Sequence, residues 1–490
     1  MVTKQVVLPQ PNHYVDVAIV GAGFSGSMVA VNLVNTLRSV RQIALVEKRR
    51  RAGPGIAYGT DNPLHLLNVP VGRMGAYPDR PRHFFEWLKE HPALVSRYRL
   101  NPLTEGAFVP RKLYGLYLEV LLQRCALQTG RVRRFEREAV DLAEAPDGSF
   151  RLFLADNTII FARKVVLALG NFPPGDPVVS DQRFHRSNKY ISDPWSSLTL
   201  QRLSEPGHIL ILGSGLTALD LILSLSETKR SGTTYVVSRH GHFPQPHALV
   251  DPYVFHRSDP RKIRNVRQLF RAVRDEVSLA AGMNVGWRSV IDALRPHTQA
   301  IWQQFDLVER RRFFRHVRPY WECHRHRAAP EALNIKEAME KSGRLHCFQG
   351  RVEQILEHEN GLVVKFRSHS GSPGQLKVGL VVNCTGPECN YHKLRDPLML
   401  QLFCRGLARP DPMFLGFDVN DQGQLLDATG RVVSNLYTLG SPQKGRLFET
   451  TAVPELRHQA LNLATILTED LQRSARRALE QLPVGHSFEI

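Results

Sequence analysis

Two glycine patterns carry the clearest chemistry in this chain. Gly21, Gly23 and Gly26 follow the apolar run 15–20, and Glu47 closes the next apolar run, 43–46, 21 residues beyond Gly26. Gly213 and Gly215 follow the apolar run 209–212, Ala218 takes the third place, and Arg239 follows the run 235–237, again 21 residues on. Glycines at this spacing let the backbone turn tightly from a strand into a helix and approach a pyrophosphate resting on the amides that open the helix. A residue at the tip of the second strand then reads the ribose. Glu47 is an acceptor suited to ribose hydroxyls, as in FAD or NAD, whereas Arg239 is a donor suited to the 2′-phosphate of NADPH. The expected ligand sets are Gly21, Gly23, Gly26 and Glu47 for FAD, and Gly213, Gly215, Thr217 and Arg239 for NADPH. A ligand-free strand-to-helix turn would have to reproduce the same register twice.

Other reactive side chains are less sharply patterned. Six cysteines form no CxxC pair, so neither a dithiol redox pair nor a zinc ribbon is encoded. Cys384 lies in an apolar run and reads as a small core residue. His324 and His326 flank Arg325, but on a helix two residues separated by one point to different sides. That run reads as a solvated or packing segment, with anion contact as the alternative and no metal site expected.

The elements that must position these groups follow from the pattern of apolar runs. A chain of 490 residues fits two or three domains. The expected fold is α/β, with two Rossmann-like dinucleotide-binding domains, the second inserted into the first. Residues 1–200 and 395–490 would bind FAD, and 206–392 would bind NAD(P)H and carry a helical insert, 244–330, whose apolar positions 290–302 recur at helix-like intervals. The last strand, 435–439, and the helix 453–471 would bring Gly440 and Val453 against the flavin. There the helix N-terminus could stabilise negative charge on the reduced ring.

The net charge is +18 and the isoelectric point near 9.9, with arginines concentrated between Arg261 and Arg327. Such a balance favours anionic partners. No zinc finger or RNP-like motif accompanies it, so nucleic acid is not expected and a small acidic substrate is. The N-terminus lacks the features of a secretory signal and no apolar run is long enough to span a bilayer, so a cytoplasmic protein without a membrane span is expected.

Several segments resemble a bacterial FAD/NAD(P)-binding family related to the flavin-dependent N-hydroxylating monooxygenases. They are Gly55-Ile-Ala-Tyr58-Gly-Thr, His65-Leu-Leu-Asn68-Val-Pro70, Arg73-Met74-Gly75-Ala76, Tyr190-Ile-Ser-Asp193-Pro194-Trp195 and Trp287-Arg288-Ser-Val-Ile-Asp292. Trp321 to Arg327 and Gly445 to Arg457 extend the likeness, which covers nearly the whole chain. The resemblance implies that NADPH reduces FAD and that reduced FAD reacts with molecular oxygen, through a C4a-hydroperoxide, to hydroxylate a small substrate, with amino- or carboxylate-bearing molecules as the candidates. It places Asn68 and Arg73 near the flavin ring as candidate catalytic residues; satisfying the backbone of the long Gly53–Tyr77 loop is their alternative role. It also makes the basic insert the substrate-selecting element, with Arg318 and Arg325 as candidate substrate contacts. One departure stands out: the segment from Phe184 to Tyr190 lacks the glycine and the spacing of the flavin monooxygenase signature. The alternatives to a monooxygenase are an NAD(P)H dehydrogenase passing electrons to a quinone or protein, and a flavin-binding regulatory protein with little turnover.

Overall fold

The computed structural model describes residues 13–36 and 42–480. Residues 1–12, which bear on the reading of the N-terminus, lie outside the described residues. The first sheet contains β1 (His13–Val20), β2 (Ile43–Val46), β3 (Val132–Phe135), β4 (Ala139–Glu144), β5 (Phe150–Leu154) and β6 (Ile159–Leu167), followed much later by β14 (Gln424–Leu426) and β15 (Val432–Thr438). Its order is β14-β15-β6-β1-β2-β3, with β5 running antiparallel beside β6 and pairing with β4. The second contains β7 (Tyr190–Ile191), β8 (Ile209–Leu212), β9 (Thr234–Ser238), β10 (Leu345–His358), β11 (Gly361–Ser368), β12 (Pro373–Val378) and β13 (Leu380–Asn383), in the order β12-β11-β10-β9-β8-β13-β7. The chain thus begins the first sheet, builds the second, and returns at β14 to finish the first. The α/β class with two dinucleotide-type sheets is as the glycine patterns imply.

Parallel strands buried on both faces need continuous apolar sequence, which explains why β2 and β8 carry no polar side chain, β13 carries only Asn383, and β1 is wholly apolar over its buried half, Val17 to Val20. On β1, Val17 and Ile19 face a core shared with the helices Phe24–Thr36 and Val453–Glu480, while Ala18 and Val20 face a second core with Leu142, Phe150 and Met399. Six α-helices lie between β9 and β10, from Val266–Gly282 to Pro330–Lys341. The apolar positions 290–302, spaced as on one helix, are divided by Pro296 in a short turn, Arg295–His297, into the helices Trp287–Leu294 and Thr298–Gln304. A proline inside a helix removes a donor and crowds the preceding turn.

The insert packs on the segment that precedes the C-terminal helix. The Phe448 ring stacks on Trp302 at 4.8 Å, and the Trp302 indole donates to Gly445 O at 2.8 Å. Among the described residues no helix is long and apolar enough to cross a membrane.

The two sheets are joined by a polar contact that the sequence did not announce. Asp220 sits in the apolar helix Leu216–Ser226, buried, and its carboxylate accepts from Arg111 Nη1 at 2.7 Å. Arg111 opens the helix Arg111–Cys125 of the first unit and also donates to Leu66 O. His65, fully buried, bonds Thr60 through Nδ1 at 2.7 Å and Asp220 O and Ser224 through Nε2, both at 2.9 Å. Burial pushes the Asp220 carboxyl above its ordinary value even with Arg111 beside it, so loss of the guanidinium leaves an uncompensated buried acid. Arg111→Leu is expected to lower the free energy of urea unfolding by about 3 kcal/mol; a loss below about 1 kcal/mol would show that this contact does not hold the units together.

Candidate functional site

Each glycine turn is built the same way. Gly21 N–H donates to Val46 O at the end of β2 (2.8 Å), and Ala168 N–H, just past β6, donates to Val20 O (2.8 Å). In the second unit Gly213 N–H donates to Val237 O (2.9 Å), and Cys384 N–H, just past β13, donates to Leu212 O (2.8 Å). Gly21 and Gly213 both have positive φ, +98° and +102°, and a Cβ on either would run into the carbonyl of the residue after the neighbouring strand, Ala168 or Cys384. Gly26 lies in the first turn of its helix so close to Gly21 O that a Cβ there would overlap that oxygen. Ala218 can replace the corresponding third glycine because it sits wholly within the core of its own helix.

The second glycines differ. Gly23 faces the Cα of Gly55, because Gly53 N–H donates to Ala22 O and folds the 53–55 segment over the first turn. At Gly215 a Cβ would meet nothing, leaving the backbone that opens the helix Leu216–Ser226 free to be approached. Thr217 stands in that helix's first turn, half-buried. Four amides at a helix start have no internal acceptor and point along the positive end of its dipole.

The two reader positions are also distinct. Glu47 is buried; Oε2 accepts from Ala22 N–H at 2.9 Å and Oε1 from Arg49 N–H at 3.0 Å. It therefore braces the glycine turn directly, and each oxygen keeps a further lone pair for a ribose hydroxyl. Arg239 follows β9, exposed, with no ion pair among the described residues. The turn beside it is fixed by Ser214, whose hydroxyl donates to His242 O at 2.6 Å and meets the Ser238 hydroxyl at 2.9 Å.

At the C-terminal side, Gly440 adopts φ +77°. Its N–H donates to Gln459 Oε1 at 2.9 Å, Gln459 Nε2 donates to Thr450 Oγ1 at 2.7 Å, and Thr450 Oγ1 donates to Gly440 O at 3.2 Å. This closed ring holds Gly440 against the N-terminus of the helix that Val453 begins. Gln459 was not singled out from the sequence, although a polar amide on the second turn of an apolar-faced helix is a readable signal. Asn68 is half-buried and Arg73 exposed, in a loop whose next carbonyls, Arg73 O and Gly75 O, accept from Arg457 Nη1. Much of that long loop is structural: Asn62 and His65 grip the second unit's helix.

The insert arginines are placed differently from the expectation of open substrate contacts. Arg318 donates to Glu322 at 2.7 Å and lies over the Phe314 ring. Arg325 is buried, 3.3 Å from a Glu449 oxygen and 3.6 Å from Glu455. Trp321 donates its indole N–H to Glu449, and Arg295 forks onto both oxygens of Glu455 at 2.7 and 2.9 Å. Burial acts to raise the Glu449 carboxyl, yet Arg325, His326 and the indole together hold it below its ordinary value. These contacts fasten the insert to the start of the C-terminal helix. His324 turns the other way, edge-on to Trp287 at 4.8 Å. The segment Phe184 to Tyr190 leads into edge strand β7, where Tyr190 O–H donates to Asp176, so it serves the second sheet.

Residues 18–172 match a family model described as FAD-NAD(P)-binding. No curated protein matches the chain. Among solved structures the chain is similar to the reduced form of an ornithine hydroxylase from Pseudomonas aeruginosa, with 16% identity, 94% of this chain and 100% of that one covered, and a TM-score of 0.62. It is similar to an L-lysine 6-monooxygenase from Pseudomonas syringae, with 16% identity, coverage of 93% and 99%, and a TM-score of 0.62. A bacillithiol disulfide reductase from Staphylococcus aureus matches with 12% identity, coverage of 94% and 99%, and a TM-score of 0.55. These likenesses establish the two-dinucleotide-domain fold, which hydroxylases and reductases share. The FAD-NAD(P)-binding segment holds the whole first glycine turn and Glu47, and both turns fit dinucleotides: close backbone approach is enforced at Gly21 and Gly213, and Gly215 is open to a pyrophosphate.

Gly26→Ala should yield protein without bound FAD, read from the flavin-to-protein absorbance ratio; full occupancy would remove this turn as the flavin site. Arg239→Ala should raise KM for NADPH about tenfold or more while leaving that for NADH within about twofold. An equal effect on both cofactors would show that Arg239 does not read the 2′-phosphate.

Proposed function

We propose that the protein is an FAD-dependent, NADPH-using monooxygenase that hydroxylates a small substrate, with molecular oxygen as co-substrate. The observation that carries this reading is the pair of equivalent glycine turns, one completed by an acceptor, Glu47, and the other by a free donor, Arg239. Two such turns call for two different dinucleotides in one chain, one to deliver hydride and one to receive it. The lack of any CxxC pair argues against the dithiol exchange that other proteins of this fold perform.

Bound flavin supplies the oxygen-activating chemistry; the tasks left to the protein are binding, orientation and exclusion of water. Glu47 and the amides opening the helix Phe24–Thr36 hold the adenosine and pyrophosphate end. The Gly440, Thr450 and Gln459 ring sets the distance between that end and the C-terminal helix, whose positive N-terminus favours negative charge on a reduced ring. Arg239 and the amides beyond Gly215 orient the nicotinamide donor. Asn68 and Arg73, on the loop that reaches the start of the C-terminal helix, are the side chains positioned to contact reactants. The net charge of +18 favours a substrate carrying an anionic group, and the cytoplasm is the proposed place of action.

The test is to reduce the FAD-loaded protein with NADPH, mix it with oxygen, and record flavin spectra on a millisecond scale. A transient spectrum distinct from both oxidised and reduced flavin supports oxygen transfer. Direct return to the oxidised spectrum, accompanied by fast reduction of a quinone, would replace the monooxygenase reading with a dehydrogenase.

A further inference from the structure

The densest group of buried cations lies where the loop carrying Arg73, the insert and the start of the C-terminal helix meet. Arg327 is 3% exposed at its side chain and pairs through Nη2 with Asp292, yet its Nε and Nη1 are buried without a hydrogen-bond acceptor among the described residues. Arg325 Nε and Arg457 Nε are in the same condition, although Arg325 Nη2 lies against Glu449 and Glu455. Guanidinium N–H groups closed off from water and left without acceptors cost about 1–3 kcal/mol each. Their clustering on neighbouring arginines points to a shared acceptor rather than to scattered packing defects.

Charge balance sharpens the point. Glu449 and Glu455 are occupied by Arg325 and Arg295, and Asp292 by Arg327. Arg73 and Arg288 have no carboxylate partner among the described residues: Arg73 is exposed, and Arg288 donates to Pro246 O while lying over the Trp287 ring at 4.5 Å. His247 sits among them, its N–H donating to Ala328 O and its ring 5.3 Å from Phe108 of the first unit. Burial first, and then the charges of Arg327, Arg73 and Arg288, drive its imidazole down to about 4, so at neutral pH it adds no charge but keeps a donor or acceptor nitrogen. Arg457 ties this group to the flavin side, because it donates to the carbonyls of Arg73 and Gly75 from the first turns of the C-terminal helix.

We infer that Arg73, Arg288 and Arg327 form an oxyanion-recognition site that selects a substrate bearing a carboxylate or phosphate. This rests on the proposed monooxygenase reading and replaces Arg318 and Arg325 as the anion contacts. Arg327 supplies the fixed, desolvated donors, which are the strong ones because charge-assisted bonds gain most where water is excluded. Arg288 is held in place by its stack on Trp287, and Arg73, itself exposed between buried neighbours, supplies the arm that closes on the ligand. A cationic diamine has no partner in such a site.

The experiment titrates the FAD-loaded chain at constant ionic strength with succinate, inorganic phosphate or 1,5-diaminopentane and follows the thermal midpoint. A saturable rise with succinate or with phosphate is expected, and the effective anion identifies the group. Arg73→Gln and Arg288→Gln, which leave the Arg327–Asp292 pair intact, should each weaken the apparent affinity about tenfold or more, while Arg183→Gln, an exposed arginine elsewhere, keeps the parental titration. No rise with either anion, an equal rise in both variants, or stabilisation by the diamine alone overturns the site. Reduction of bound FAD by NADPH, measured on the same preparation, judges the underlying enzymatic reading separately: reduction without any anion effect defeats only the site.

Discussion

The constraint on which the rest depends is the pinning of each glycine turn between two parallel strands. In both units the first strand ends in a glycine whose N–H is taken by the end of the second strand, while the first strand's last carbonyl is taken by the residue after the third. The turn is thereby wedged against a backbone carbonyl with no room for a Cβ. A substitution there could not be absorbed by a side-chain rotation, because the opposing atom is main chain. The wedge also fixes where the next helix starts, and thus where its free amides point. The places of Glu47 and Arg239 at the ends of β2 and β9 are measured from these two turns.

The second organising feature is electrostatic and less economical. Glu449 is buried, and Glu455 and Asp292 half-buried, against arginines from the insert, and burial of ion pairs generally costs desolvation that their attraction offsets only with good geometry. A purely apolar joint between the insert and the C-terminal segment would be no less stable. The aromatic group of Trp302, Phe313, Trp321 and Phe448 already provides one. What charge adds is registry: a fork from Arg295 onto Glu455 and an indole bond onto Glu449 allow one placement of the insert over the start of the C-terminal helix, where an oily surface would tolerate several.

How much of this could be read in the sequence follows from the range of each interaction. The glycine turns were legible because their chemistry is local: strand, turn, helix and reader fall within about 30 residues. The division of the 290–302 stretch was half legible, since the apolar spacing promised one helix and Pro296 cut it. Strands β3, β4 and β12 were passed over because each is short or carries charged residues on an exposed face, so the apolar signal is thin. The role of His65 was hidden for a different reason. Its partners lie 155 and 159 residues away, and only Asp220, a lone acid in an otherwise apolar helix, hinted that something polar must reach it. Arg325 shows the same limit from the other side, as composition reveals a positive insert but not which guanidiniums are already paired.

That distinction between paired and unpaired charge bears on where specificity resides. The two-domain fold is common to proteins that hydroxylate amines and to one that reduces a disulfide, so the sheets and glycine turns cannot choose the reaction partner. The elements free to do so are those not needed to hold either dinucleotide: the insert and the loop bearing Arg73. In this chain they meet as a region where guanidiniums outnumber carboxylates, closed to water at Arg327 and open at Arg73. A low-dielectric wall with an exposed cationic edge strengthens attraction for an anion at its centre and leaves a route for entry. The same walls disfavour a cation by more than sterics could, since an unpaired positive guest would add to an existing excess. Charge at this junction, rather than pocket shape alone, is the physical variable by which one member of the fold would part company with another.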